Sequence, residues 1–472
     1  MASAGLPKEF IEKVQAVAGL HMQLGEQINP DFAHDEMPIY GSHMPDMAVE
    51  VHSTEETAEI VRLCNEYQIP VTPRGAGTGL VGGAVPVSGG VLLSMTKMNR
   101  ILGYDLDNFV VQVQAGVLLH DLIEDTSKHG LLYPPDPGEK FATLGGNVST
   151  NAGGMRAVKY GTTRDYVCGM TVVLPTGEIL RLGGAVSKNS SGYSLMHLII
   201  GSEGTLGIIT ELTLKLIPQP GATVSMICPF PDLESCIAAV PQFQKNHIHP
   251  QALEFMETEI VQSAEAYVGK TVFPKTADGQ EICAYLLLTL DGDDLEQIEP
   301  MIEKTAEIAI EAGAIDAFLA DTPNQKRDIW QVRGAFLEAI LDGTTYLDEC
   351  DVVVPISKIA QFLCYVNGLQ QQFGLQVKSF GHAGDGNLHI YACSSTGTKE
   401  EFLMRAEKFM DAVYVKAAEL KGQVSGEHGI GYGKQKYLKQ SLGDVSIQLM
   451  REIKKAFDPH GILNPGKVCW AE

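Results

Sequence analysis

Pro73-Arg74-Gly75-Ala76-Gly77-Thr78-Gly79-Leu80-Val81-Gly82-Gly83 is the stretch on which the reading of this chain turns. It is not a Rossmann fingerprint, because Leu80 stands where G-x-G-x-x-G needs its third glycine, and no helical pattern follows. It also lacks the Gly-Lys-Ser/Thr ending of a P-loop. Such a run can curl and aim successive backbone N–H groups at one point, forming an anion nest suited to a pyrophosphate. Residues without side chains let the backbone come close to the phosphates. A tight structural turn is the other reading that one loop allows. Two similar segments follow, Thr143-Leu144-Gly145-Gly146-Asn147 with Asn151-Ala152-Gly153-Gly154, and Gly201-Ser202-Glu203-Gly204-Thr205-Leu206-Gly207-Ile208-Ile209-Thr210. Three glycine-rich loops in one region point to a long cofactor threaded between backbone segments.

Around these loops helices and strands mix without strict alternation, which predicts an α+β layout. Ser53-Thr54-Glu55-Glu56 is a capping box opening a helix through about Tyr67. Val91-Leu92-Leu93 and Val110 to Ala115 read as strands, and Leu118 to His129 as a helix. Thr171 to Leu174 and Ile179 to Leu182 flank Pro175-Thr176-Gly177-Glu178, a hairpin signature. Leu206 to Ile217 is a further strand region, stopped by Pro218-Gln219-Pro220. That stop is the best domain boundary. Beyond it a strand is expected over Cys283 to Leu290, and helices over Pro300 to Ala312, Phe402 to Leu420 and Val445 to Phe457.

The 472 residues suit two domains or three, and 44% hydrophobic with 20% charged residues is ordinary globular composition. A net charge of -23 argues against nucleic acid and against anionic membranes. Nine scattered cysteines without a Cys-x-x-Cys pair argue against an iron–sulfur cluster and fit free thiols in a reducing cytoplasm. Met1 to Val17 reads as an amphipathic helix rather than a signal peptide, and no apolar run reaches the ~18 residues of a membrane span. A soluble, cytoplasmic protein is expected.

Near the other end, Phe380-Gly381-His382-Ala383-Gly384-Asp385-Gly386-Asn387-Leu388-His389-Ile390 carries two histidines around a strong turn signal. On a straight strand they would face opposite sides; a turn between them lets both rings converge. Ser425-Gly426-Glu427-His428-Gly429 adds a carboxylate and a third histidine. Two histidines and a carboxylate form a common ligand set for a divalent metal with open positions. Hydrogen-bonded structural histidines are the other reading, against which the flanking glycines weigh.

In order and spacing, the three loops resemble the FAD-binding domain of the vanillyl-alcohol-oxidase flavoprotein superfamily. The resemblance implies a two-part FAD-binding domain of that type, residues 1–218. An α+β substrate (cap) and metal-binding domain, residues 219–444, would follow, and a helix and tail, residues 445–472, would pack back on the FAD domain. It implies that the first loop, Arg74, Gly75, Ala76, Gly77, Thr78, Gly79 and Leu80, wraps the pyrophosphate. Thr143, Gly146, Asn147 and Gly153 would line the flavin, with Gly204, Ile208 and Ile209 near the cofactor. Thr78 stands where some relatives carry a flavin-linking histidine, so non-covalent FAD is implied.

The second half, with Gly-His-Ala-Gly-Asp-Gly-Asn-Leu-His from Gly381, Gly426-Glu427-His428-Gly429, and Phe457-Asp458-Pro459 through Leu463-Asn464-Pro465-Gly466-Lys467, resembles the C-terminal domain of FAD-linked D-2-hydroxy-acid dehydrogenases. That resemblance implies a divalent metal (Zn, Fe or Mn) on His382, His389 and Glu427, with His428 as the base. The nearby cation would lower the His428 pKa and keep the ring neutral. The metal would orient the substrate hydroxyl, His428 would take its proton, and hydride would pass to flavin N5. Arg333, in Trp330-Gln331-Val332-Arg333-Gly334, aligns with the family's substrate arginine. Glu349 stands where 2-hydroxyglutarate enzymes carry a lysine for a second carboxylate, which favours a small monocarboxylate, D-lactate first and glycolate next. With no nicotinamide fingerprint, electrons would go to an electron-transferring flavoprotein, a quinone or an iron–sulfur subunit. Two alternatives stay open, a non-catalytic FAD electron-transfer subunit and an oxygen-using 2-hydroxy-acid oxidase. The intact His/Glu set weighs against the first.

Overall fold

The computed structural model describes residues 5–37, 39 and 41–469. Residues 1–4 of the expected N-terminal helix, and the end of the tail at 470–472, lie outside them. The chain forms two compact units, one of residues 1–152, 162–219 and 427–472, the other of residues 153–161 and 220–426.

The first unit holds two sheets. One runs in the order β1 (Met22–Leu24), β2 (Met47–Glu50), β4 (Val91–Ser94), β3 (Val71–Arg74). Its β2, β4 and β3 are parallel, while β1 is antiparallel to β2. The helix Thr54–Tyr67 begins at the expected cap, where the Ser53 hydroxyl accepts the Glu56 N–H; Glu56 reaches back to the His52 N–H, one residue before the cap, so the reciprocal half of the capping box is displaced. Its apolar face, with Ala58, Val61 and Cys64, packs with the N-terminal helix Lys8–Ala18 and strands β2 to β4 in one core. The other sheet is antiparallel, in the order β5 (Ile101–Asp105), β6 (Val110–Gln114), β9 (Ile208–Lys215), β7 (Val167–Val173), β8 (Ile179–Gly183). Its β7–β8 hairpin closes through Pro175 to Glu178, where the Leu174 carbonyl accepts the Gly177 N–H.

The last residues are woven into this unit. Leu463 runs parallel to Val71, and the Lys454 ammonium donates to the carbonyls of Thr205 at 2.7 Å and Leu463 at 2.8 Å. The final helix spans Gln435–Phe457 and bends at Gly443, whose φ of 74° takes it out of helical geometry. The helix expected from Val445 is the part after this bend.

The second unit is built on one antiparallel sheet of seven strands. Their order is β13 (Phe318–Ala320), β10 (Ala222–Phe230), β12 (Ala284–Gly292), β11 (Ala252–Glu257), β15 (Gln376–His382), β16 (Asn387–Ser394), β14 (Tyr346–Val353). The helix expected from Pro300 starts earlier, at Leu295, because Asp294 caps it by accepting the Gln297 N–H. Pro300 lies inside it. Together the units make an α+β protein, and among the described residues no helix is long and apolar enough to cross a membrane.

Candidate active site

In the first unit the glycine-rich segments pack closely on one another. A Cβ on Gly75 would lie 2.2 Å from the Thr143 hydroxyl oxygen, and one on Gly204 (φ +71°) 2.5 Å from Pro73 Cγ. Only residues without side chains allow this approach. The Arg74 guanidinium donates to the carbonyls of His34 at 2.7 Å and Asp31 at 2.9 Å, and a Cβ on Gly77 would collide with it. Asp35 grips the other end of the loop, accepting the Gly82 N–H at 2.6 Å. Burial pushes its carboxyl up to about 6, against the pull of the Met37 and Gly82 N–H groups and of Arg74.

Clamped at both ends, the loop leaves its own donors unused. Among the described residues nothing accepts a hydrogen bond from the backbone N–H groups of Gly75 to Val81. Asn147 Nδ2 and the Ser202 hydroxyl are buried without a partner there as well. Buried donors without partners are costly, so these groups fit a polar ligand such as the FAD pyrophosphate and flavin ring. Thr143 caps the helix Leu144–Thr150 by accepting the Gly146 N–H. Of the strand pair, Ile208 is taken up by the apolar core and Ile209 faces the opposite side. Gly153 falls in the segment 153–161, within the second unit.

The second unit carries the histidines. Strands β15 and β16 form a hairpin in which His382 faces Asn387 and Phe380 faces His389, so both histidines lie on one side of the sheet. Their ring centroids are 5.3 Å apart and the rings nearly perpendicular, at 88°. The turn demands its glycines, since Gly386 has φ +85° and a Cβ on it would lie 2.1 Å from the Val354 carbonyl oxygen.

On the neighbouring strand β11, Glu254 sits directly across from His382. It is fully buried, and Oε1 lies 2.7 Å from His382 Nδ1. An ionised carboxylate only accepts hydrogen bonds, so Nδ1 carries a hydrogen, and Nε2 is the nitrogen that would ligate when the ring is neutral. Burial pushes the Glu254 carboxyl up, but His382 and Arg333 outweigh it and hold it below the usual carboxylate value. Arg333, in the last turn of the helix Pro323–Gly334, donates to Glu254 Oε2 from Nε at 3.0 Å and from Nη2 at 2.6 Å. The rings of Phe336 and Phe380, edge to face with each other, both lie against its guanidinium, with centroids 5.1 Å and 4.9 Å from Cζ. The Nε edge is thus committed to Glu254, which leaves the Nη1 end for an anion.

On β14, Asp351 is fully buried and lies across from His389. Its Oδ1 accepts from Asn387 Nδ2 at 2.6 Å, and its Oδ2 from the Ser425 hydroxyl at 2.7 Å and the Gly426 N–H at 3.0 Å. Gly426 must be glycine, because a Cβ would lie 2.4 Å from Asn387 Nδ2. Glu427 and His428 follow it directly. His382, His389 and Glu349 belong to the second unit, whereas Glu427 and His428 open the last segment of the first. The sequence reading missed Glu254 and Asp351. Glu254 is a lone carboxylate in the apolar run Ala252-Leu253-Glu254-Phe255-Met256, and that isolation was the available signal; Asp351 shares its strand with Asp348 and Glu349 and had none.

Residues 219–468 match the family of FAD linked oxidases, C-terminal domain, and residues 45–183 match an FAD binding domain. The chain is 62% identical over 462 residues to a D-lactate dehydrogenase of Anaerostipes hadrus, covering 98% of this chain and 97% of that one. It is 38% identical over 440 residues to the glycolate oxidase subunit GlcD of Bacillus subtilis (strain 168), covering 93% and 91%. Its fold is similar to that of a p-cresol methylhydroxylase crystal structure, with TM-score 0.80 at 21% identity over 98% of this chain and 96% of the other.

Proposed function

The chain belongs to the FAD linked oxidases, and from that premise we propose that it oxidises a small D-2-hydroxy acid to the 2-oxo acid, D-lactate first and glycolate next. Bound FAD supplies a two-electron hydride acceptor, and a divalent cation (Zn, Fe or Mn) supplies Lewis acidity toward the substrate hydroxyl. His382, His389 and Glu427 would hold the cation. His428 takes the hydroxyl proton as base. Arg333 meets the substrate carboxylate end-on, through the edge that Glu254 leaves open. Asp351 fixes the backbone immediately before Glu427. Glu349, buried with Oε1 3.9 Å from His389 Nδ1, leaves no cation for a second substrate carboxylate. Electrons then leave for an external acceptor, an electron-transferring flavoprotein, a quinone or an iron–sulfur subunit; a net charge of -23 suits a basic partner protein.

The observation that carries this reading is the Glu254–His382 hydrogen bond, which engages Nδ1 of a buried histidine whose ring lies 5.3 Å from that of His389. Such orientation has a purpose when a cation is to be bound. Chelator treatment of the FAD-loaded protein is expected to abolish D-lactate oxidation while FAD stays bound, and Zn²⁺ or Mn²⁺ to restore it. Undiminished turnover after complete metal removal would overturn the metal's part.

A further inference from the structure

Glu254 joins two groups whose tasks differ. Its Oε1 meets the ring of His382, on strand β15, and its Oε2 meets the guanidinium of Arg333, at the end of a helix. Both partners are nearly buried, and Glu254 itself has no exposed surface. We propose that Glu254 is a positioning residue that fixes the His382 tautomer for metal binding and, through the same carboxylate, orients Arg333 toward the substrate carboxylate. The inference rests on the reading of His382 as a metal ligand and Arg333 as the substrate arginine.

The chemistry of the two neighbours explains why a carboxylate is needed. Arg333 offers only donors, and a ligating His382 must donate from Nδ1. One residue facing both therefore has to accept on both sides, and only an ionised Asp or Glu does that. Strand register puts Glu254 directly across from His382, so no lateral reach is required. The Phe336 and Phe380 rings both pack against the Arg333 guanidinium, and one Glu254 oxygen takes both of its bonds.

Glu254→Gln keeps the size and removes one acceptor. The amide oxygen turns to Arg333, because two donor groups would otherwise face each other. The amide NH₂ then faces His382, Nδ1 has to accept, the ring hydrogen moves to Nε2, and the ligating lone pair is lost. Zn²⁺ and Mn²⁺ titrations of the FAD-loaded, metal-stripped protein are expected to show affinity falling roughly 10- to 100-fold in Glu254→Gln, with FAD content unchanged. Affinity within threefold of wild type would overturn the proposal. A second measurement needs no stable variant. In metal-stripped wild-type protein with ¹⁵N-labelled histidine, the His382 ring is expected to carry its hydrogen on Nδ1, and an Nε2–H tautomer would overturn the proposal. Wild-type protein that binds neither cation would instead overturn the metal reading on which this inference stands, a result distinct from either of the others.

Discussion

Asp351 Oδ2 accepts the backbone N–H of Gly426 at 3.0 Å, which ties the chain one residue before Glu427 to strand β14 of the second unit. The same oxygen takes the Ser425 hydroxyl, so one carboxylate sets the course of the segment carrying Glu427 and His428. Asp351→Asn places an NH₂ against a donor on one side. The expected result is a 10- to 100-fold loss of metal affinity or of flavin reduction by D-lactate, with stability lowered by about 1–3 kcal/mol. Stopped-flow flavin reduction and denaturant titration read the two effects separately. Wild-type reduction rates in this variant would remove Asp351 from the account.

His428→Ala deletes the proposed base while leaving Glu427 in place. Flavin reduction is expected to slow by roughly 10²–10⁴-fold, the usual contribution of a positioned proton acceptor. Metal content should stay near that of wild type. Reduction at wild-type speed would mean that the hydroxyl proton leaves by another route.

Glu257, at the end of the strand that carries Glu254, gives a pH dependence of stability. Burial pushes its carboxyl from 4.5 up to about 7, with Glu259 adding to the rise and the Asn367 hydrogen bond opposing it. The folded state thus holds a proton between about pH 4.5 and 7 that the unfolded chain releases. The stability this group contributes is complete below pH 4.5 and is lost as pH rises through 7. Glu257→Gln keeps the acceptor for Asn367 and cannot ionise. It should flatten the decline of the denaturation midpoint from pH 5 to 8 and gain on the order of 1–3 kcal/mol over wild type at pH 8. Parallel pH profiles for the two proteins would contradict the assignment.

These predictions draw on residues that differ in how far the sequence exposed them. The glycine loops were legible because glycine is the residue that close packing against a neighbouring side chain requires, as at Gly75 against Thr143 and Gly204 against Pro73. The His382–His389 pair was legible because the turn between them needs Gly386 at positive φ. Glu254 was not legible, because its partner His382 lies 128 residues away and only strand register brings the two together. Arg333 was visible as a cation, but its commitment of one edge to Glu254 was not. The early start of the Leu295–Glu311 helix was hidden by Pro300, which looked like a first-turn residue until Asp294 proved to be the cap.

The most direct test is anaerobic flavin bleaching by a panel of D-lactate, L-lactate, glycolate and D-2-hydroxyglutarate, with metal content measured on the same preparation. The account predicts the highest kcat/KM for D-lactate, glycolate next, L-lactate far behind, and a divalent cation bound. A flavin that no 2-hydroxy acid reduces, or one that D-2-hydroxyglutarate reduces best, would contradict it.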